Sequence, residues 1–287
     1  MQDEPSYLVI PAAGLGTRMR AIRPDVPKEM LPLGNKPAIQ YTVAEGLSAG
    51  IKNVVIIINR QKEIIRKYFE DRKFSSDMFP LAVEEIEELK RECSITFLYQ
   101  KESLGESDAI SLARDVVNNH SAAIIYPDNI YFPAQNGSLA QGALKMLKHV
   151  FRQYKKDVSA LMQVTEKNAP GISNSGRADL LHLRDNVFRI MGFHPKGESH
   201  FVLRFREELR TCGLSITGPH LFEYIKRAKR INKEKEFTDV PVKSFILKEK
   251  GLLGCRLPGT VFDIGNPKGY VLCLEYIKKT HSPIKPL

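Results

Sequence analysis

No run of roughly 18 apolar residues occurs anywhere in this 287-residue chain, so no segment has the length and character of a membrane-spanning helix. The first residues, Met1-Gln2-Asp3-Glu4-Pro5, are acidic where a secretory leader would be basic. Cysteine is scarce. Cys93, Cys212, Cys255 and Cys273 lie far apart and form no C-x-x-C pair, which argues against both a zinc site and a disulfide framework. A soluble, cytoplasmic protein is expected. Internal repeats, low-complexity tracts and linkers are also missing. With 43% hydrophobic residues to fill a core, residues 1–287 read as a single domain.

Positive charge is plentiful, at a formal net +10. Such a balance suits nucleic acid, an anionic membrane or phosphate-bearing small molecules. The densest basic run, Lys226-Arg227-Ala228-Lys229-Arg230-Ile231-Asn232-Lys233, is broken by apolar residues at helical spacing and has no aromatics interleaved. It reads as a solvated helix face. No nucleic-acid motif accompanies it, so neither nucleic acid nor membrane is an expected partner.

Apolar runs alternate with helical patterns. Strands are predicted over Tyr7–Pro11, Asn53–Asn59, Ser94–Gln100, Ala122–Pro127 and Val158–Thr165. Helices are predicted over Pro37–Ala49, Gln61–Phe69, Ser107–Val117 and Ser138–Tyr154, with Gly50 just past the end of the first. Val54-Val55-Ile56-Ile57-Ile58 is apolar on both faces, as in a sheet covered on both sides. The expected class is therefore α/β, a doubly wound, mostly parallel, Rossmann-like sheet over about residues 1–165. Ala169–Glu198 is rich in Gly, Pro, Asn and Ser, which predicts loops and short antiparallel strands. Farther on, the pattern gives a helix around Pro219–Arg230, strands over Gly251–Leu257 and Thr260–Ile264, and a helix from Pro267 capped by Asn266.

Chemistry concentrates after the first strand. Ala12-Ala13-Gly14-Leu15-Gly16 leaves backbone amides open to a ligand at the carboxyl end of a sheet strand, where successive N–H donors suit phosphate. Arg18 can grip phosphate oxygens in pairs, and Lys28 adds a compact charge. A dinucleotide fingerprint is excluded, because Met19 stands where a third glycine belongs and the second strand closes in Asn59-Arg60 without an acidic residue. A Walker loop fails for want of G-K-[ST].

Taken together, Gly14-Leu15-Gly16-Thr17-Arg18-Met19 and Pro27-Lys28-Glu29-Met30-Leu31-Pro32-Leu33 resemble the signature of sugar-1-phosphate nucleotidyltransferases, nearest to the bacterial UTP–glucose-1-phosphate uridylyltransferases. Lys36-Pro37 followed by Ile39-Gln40-Tyr41 extends the likeness. It implies a nucleotide-diphospho-sugar transferase (GT-A-like) fold, with an acceptor-binding half over about 166–287 and a small antiparallel region over the sugar site. It also implies a homo-oligomer, dimer or tetramer. The activity implied joins a nucleoside triphosphate (UTP, or dTTP or CTP) to a sugar 1-phosphate such as glucose 1-phosphate, releasing pyrophosphate.

Nucleotidyl transfer needs positioning and charge neutralisation, with Mg2+ held by one or two carboxylates. Asp128 and Asp263 each follow an apolar strand pattern. The resemblance makes them the metal ligands, with Arg18 and Lys28 beside them as catalytic residues. It gives the nucleotide Ala12, Ala13, Gly14, Gly16 and Thr17 as well, and assigns Gln100 and Gly105 to the base. Asp108 either favours a helix N-terminus or contacts ribose or metal.

On the acceptor side the resemblance implies Gly176, His194, Lys196 and Gly218. Thr238-Asp239 looks like the family's helix start, and a capping role is the plainer alternative. The family's Glu-Lys-Pro, whose Glu holds the sugar, is replaced by Phe193-His194-Pro195. Arg23, after Arg20, is an added candidate for phosphate. Either the acceptor is altered, or the chain is a nucleotide- or sugar-nucleotide-binding regulator that has lost catalysis.

Overall fold

A computed structural model of the chain describes residues 4–134, 142–197 and 200–280. Nine strands form the main sheet: β1 (Tyr7–Pro11), β2 (Asn53–Ile58), β3 (Ser94–Tyr99), β4 (Ala122–Ile125), β6 (Asp157–Gln163), β7 (Ala178–Arg184), β8 (Val187–Phe193), β9 (Leu209–Thr217) and β10 (Leu252–Arg256). Their order is β3-β2-β1-β4-β9-β6-β10-β8-β7. β3, β2, β1 and β4 are mutually parallel, as are β6 and β10, while β9 runs antiparallel to both of its neighbours. β8 and β7 form an antiparallel hairpin at one edge, within the Ala169–Glu198 region where loops and short antiparallel strands are expected. The sheet is mixed. Its parallel strands nonetheless end on one shared edge, where an open α/β sheet binds its ligands.

Both faces are covered, as the continuous apolar strands require. Along β2, Val54, Ile56 and Ile58 belong to one buried cluster and Val55 and Ile57 to another. On the first face pack α1 (Ala38–Ser48), α2 (Glu63–Glu70), α4 (Val83–Glu92) and α7 (Ala143–Tyr154), through residues such as Val43, Ile65, Ile86 and Leu147. On the second pack α5 (Glu106–Ser111), α6 (Arg114–Val117), α8 (Leu221–Ile231) and α9 (Val240–Lys250), through Ile110, Val117, Ile225 and Val242. Each such fully buried aliphatic side chain contributes about 1.5–3 kcal/mol relative to exposure.

Several boundaries depart from the sequence pattern. The helix predicted over Ser107–Val117 is two short helices, α5 and α6. Between β2 and β3 the chain adds α3 (Arg72–Met78) and α4, which the hydrophobic pattern did not single out. Residues 138–141 of the predicted Ser138–Tyr154 helix lie outside the described residues. No helix among the described residues is long and apolar enough to cross a membrane.

Two further strands matter for the site. β5 (Asn129–Phe132) pairs antiparallel with β11 (Thr260–Asp263), with Asn129 opposite Asp263. α10 (Pro267–Thr280) follows directly, and Asn266 caps it as expected, accepting from the Lys268 amide at 2.9 Å. Ile130, Phe132, Phe262, Ile264, Tyr270 and Cys273 bury this small sheet against α10. Asp128, just before β5, and Asp263, the last residue of β11, are thereby brought side by side.

Candidate active site

The turn after β1 is held from beneath by its carbonyls. Asn59 Nδ2 donates to the Ala13 carbonyl at 2.6 Å, and Lys62 Nζ donates to the Ala12 carbonyl at 2.8 Å. Lys62 also donates to both Glu29 carboxylate oxygens at 2.8 Å, in a pair that is almost wholly buried. With the carbonyls turned inward, the amides of Ala13, Gly14 and Leu15 donate to no acceptor among the described residues. Gly14 meets open space, and Gly16, at φ 62°, starts the helical turn that carries Thr17 and Arg18. The Lys28 stem lies against Gly16, 3.7 Å from where a β-carbon would stand. The turn thus presents successive free N–H donors to open space, an arrangement that suits phosphate.

Lys28 reaches from this turn to the Asp128 carboxylate, Nζ to Oδ2 at 2.5 Å. Burial pulls the Lys28 ammonium down, but Asp128, Glu29 and Asp263 together hold it up at about 12, so it stays charged. Burial likewise works to raise Asp128, and Lys28 and Arg18 win, leaving it below the usual carboxylate range. Asn129 Nδ2 orients the other Asp128 oxygen at 2.8 Å. Asp263 accepts the Ser173 amide at 2.9 Å on one oxygen and the Gly265 amide at 3.1 Å on the other. Arg18 closes the ring by donating to the Ser173 hydroxyl.

The two carboxylates face one point. A β-carbon added to Gly265 would lie 2.7 Å from Asp128 Oδ2 and 3.2 Å from Asp263 Oδ1. Two oriented carboxylates around a space that only glycine leaves open suit a hard cation completing its shell with phosphate oxygens. No cluster of three or more His, Cys, Asp or Glu able to hold a metal occurs among the described residues. Two carboxylates are therefore what the described residues offer a hard divalent cation. Gly265→Ala is expected to weaken Mn2+ affinity at least about tenfold, read by titration of the folded protein. Unchanged affinity would remove this cradle.

A cleft of about 530 Å³ opens beside the pair, lined by Arg18, Lys28, Asp128, Asp263, Gly176, His194 and Lys196, all singled out from the sequence. Gly176, at φ 73°, is pressed so close to the Thr211 carbonyl that a β-carbon would stand 2.4 Å from it. His194 Nε2 faces Asp179 Oδ1 at 2.8 Å. Gln100 follows β3 and Gly105 precedes α5; neither lines this cleft, although Glu106, next to Gly105, does. Gln100 Nε2 donates to Asp108 at 2.9 Å and to the Gly105 carbonyl at 3.2 Å. Asp108, which also pairs with Lys229 at 2.6 Å, therefore orients the glutamine. Its alternatives of ribose or metal contact gain no support.

Two expectations are not met by the geometry. Gly218 follows β9 at the end where Thr217 pairs with Ala122, the amino end of β4, and its amide serves the buried Asp157 at 3.0 Å. It stands at the opposite edge from the cleft. The glycine of this strand that does line the cleft is Gly213, at φ 71° within the β9 irregularity. Arg23 does not line the cleft and lies instead near Tyr270. Asp239 starts α9 without a capping side-chain bond and points to Lys243 at 2.6 Å and Tyr126 at 2.8 Å.

Several residues of the site carry no signal in the sequence. Arg210 is buried in the cleft wall, donating to the carbonyls of Thr211 at 2.8 Å and Ser173 at 3.3 Å. Burial lowers its pKa, opposed by Asp263 and Asp128 nearby. The Lys62–Glu29 pair is another case. No local signal marks it, because Lys62 stands among Arg60, Gln61 and Glu63, and Glu29 directly follows Lys28. With Arg177 and Lys243 added, cleft cations outnumber Asp128, Asp263, Glu106 and Asp239, as an anionic ligand needs.

Similar proteins match this chain over nearly its whole length. A UTP–glucose-1-phosphate uridylyltransferase of Pseudomonas aeruginosa is 29% identical over 287 residues, covering 95% of this chain and 97% of its own. One of Mycoplasma pneumoniae is 29% identical over 272 residues, covering 92% and 89%. A crystal structure of UDP-glucose pyrophosphorylase complexed with UDP-glucose superposes with a TM-score of 0.81 at 24% identity, over 96% of this chain and 99% of that one. At that identity the superposition speaks for the fold. The profile described as "Nucleotidyl transferase" matches residues 7–171, more than half of the chain and every residue of the phosphate turn, Lys28 and Asp128. The chain belongs to the nucleotidyl transferase family.

Proposed function

We propose that this protein transfers the uridylyl group of UTP to glucose 1-phosphate, forming UDP-glucose and pyrophosphate with Mg2+. The observation that carries the reading is the convergence of Lys28, Asp128 and Asp263 beside a turn of open amides. The names of the relatives support the choice of substrates. In this mechanism an oxygen of the acceptor phosphate attacks the α-phosphorus, and the bond from that phosphorus to the oxygen bridging the β-phosphate breaks. Pyrophosphate leaves with the bonding pair. The amides after Ala12, with Arg18, hold the triphosphate. Lys28 neutralises charge developing on the α-phosphate oxygens. Gln100, fixed through its amide nitrogen, keeps its carbonyl oxygen for an imide N–H of uracil. Asp128 and Asp263 would hold Mg2+, which supplies further neutralisation of phosphate charge when bound. Lys196 lines the cleft and would meet the acceptor phosphate, with His194 beside it held by Asp179. The setting is the cytoplasm, and the assembly a homo-oligomer.

Pyrophosphate release with a panel of nucleoside triphosphates and sugar 1-phosphates tests this. UTP with glucose 1-phosphate is expected to give the highest kcat/KM; preference for another pair overturns the substrate assignment. The second reading, a regulator without turnover, rests on Phe193 and His194 lining the acceptor end. Tight UTP binding with no release for any acceptor would favour it.

A further inference from the structure

The cleft holds one carboxylate that neither the metal cradle nor an ion pair uses. Glu106 opens α5 and lines the same cleft as Asp128 and Lys196. Its Oε1 accepts the Asp239 amide at 3.3 Å, and beyond that only its own amide reaches it. No cation lies within ion-pairing distance of Glu106 among the described residues. The neighbouring Asp239 is already engaged by Lys243 at 2.6 Å and the Tyr126 hydroxyl at 2.8 Å. Burial, then Asp239, pushes the Glu106 carboxyl up, with Lys196 opposing. These are the marks of a half-buried carboxylate short of donors, a costly arrangement unless a ligand brings them.

The remaining walls say what that ligand is. Phe193 offers no acceptor, and His194 is turned to Asp179. Lys196 is the cation nearest in effect to Glu106, Lys243 and Arg177 being paired with Asp239 and Glu208, and the cleft as a whole carries more cations than carboxylates, which disfavours an ammonium group as the donor. Uncharged hydroxyls meet no such repulsion, and a carboxylate can accept from two neighbouring ones. We propose that Glu106 binds a pair of adjacent ring hydroxyls of the sugar phosphate acceptor. The inference rests on the nucleotidyl-transfer reading above and adds the residue that selects the acceptor.

The test is calorimetric titration of glucose 1-phosphate into the protein saturated with Mg2+ and a non-hydrolysable UTP analogue. Glu106→Gln and Glu106→Ala are each expected to weaken glucose 1-phosphate about tenfold, with affinity for the UTP analogue and the thermal midpoint unchanged. Among singly deoxygenated glucose 1-phosphates, at least one should bind wild type about tenfold more weakly and the Glu106→Gln protein no more weakly than glucose 1-phosphate itself. Equal affinity of variant and wild type overturns the inference, as does joint loss of nucleotide, acceptor and thermal stability. A wild-type protein that binds no sugar phosphate overturns it too. Turnover is read separately by pyrophosphate, so a folded protein can keep the reaction while losing this assignment.

Discussion

Asp128→Asn is expected to lower kcat about a thousandfold while the protein stays folded. The substitution keeps the shape of the side chain and its neighbour Asn129, and removes one unit of negative charge from the point that Asp128 Oδ2 and Asp263 Oδ1 share. If a divalent ion there supplies several kcal/mol of transition-state stabilisation, about 4 kcal/mol lost corresponds to that factor. Lys28 loses its strongest supporting charge, so its pKa falls below about 12. Glu29 and Asp263 remain to keep it protonated at neutral pH. Pyrophosphate release, Mn2+ affinity and a thermal melt together read the result. Turnover within a few-fold of wild type would refute the metal assignment. A collapsed melting transition would instead make Asp128 a structural residue.

The second large effect is on stability. Lys62→Met should cost about 3–5 kcal/mol, because it strands the Glu29 carboxylate at full burial. Breaking one side of a buried ion pair is far worse than exchanging both. The double variant Glu29→Leu with Lys62→Met is therefore expected to recover much of the loss. Function should not recover with it, since Lys62 also holds the Ala12 carbonyl and so aims the turn after β1. Urea unfolding with equal slopes for all three proteins is the measurement. Equal stability of wild type and Lys62→Met would show that Glu29 is satisfied without the lysine, by the neighbouring Lys28.

Much of the nucleotide side was legible in the sequence because its signals are local. Apolar runs such as Val54–Ile58 could only be strands with both faces covered, and they are. Gly14-Leu15-Gly16 with Arg18 and Lys28 spans few residues, so spacing alone suggested a phosphate turn. Asp128 and Asp263 were marked by their place after apolar strands, but their meeting depends on β5 and β11 pairing over a long separation, which no local pattern encodes. Gly218, which the resemblance implied, stands at the wrong end of its strand. A strand entered in reverse presents its first residues, not its last, to the ligand edge, and orientation is invisible to periodicity. Arg210, Glu106 and Lys62 carry their roles through burial and partners that arrive from distant segments.

β9 has a consequence for how the molecule is made. It belongs to the later part of the chain, yet it sits at the middle of the main sheet, separating β4 from β6. Until residues 209–217 have left the ribosome, two neighbouring strand edges have nothing to pair with, and such edges invite association with other chains. A chain cut before residue 209 would lack the strand between β4 and β6 and is expected to associate with other chains through those open edges.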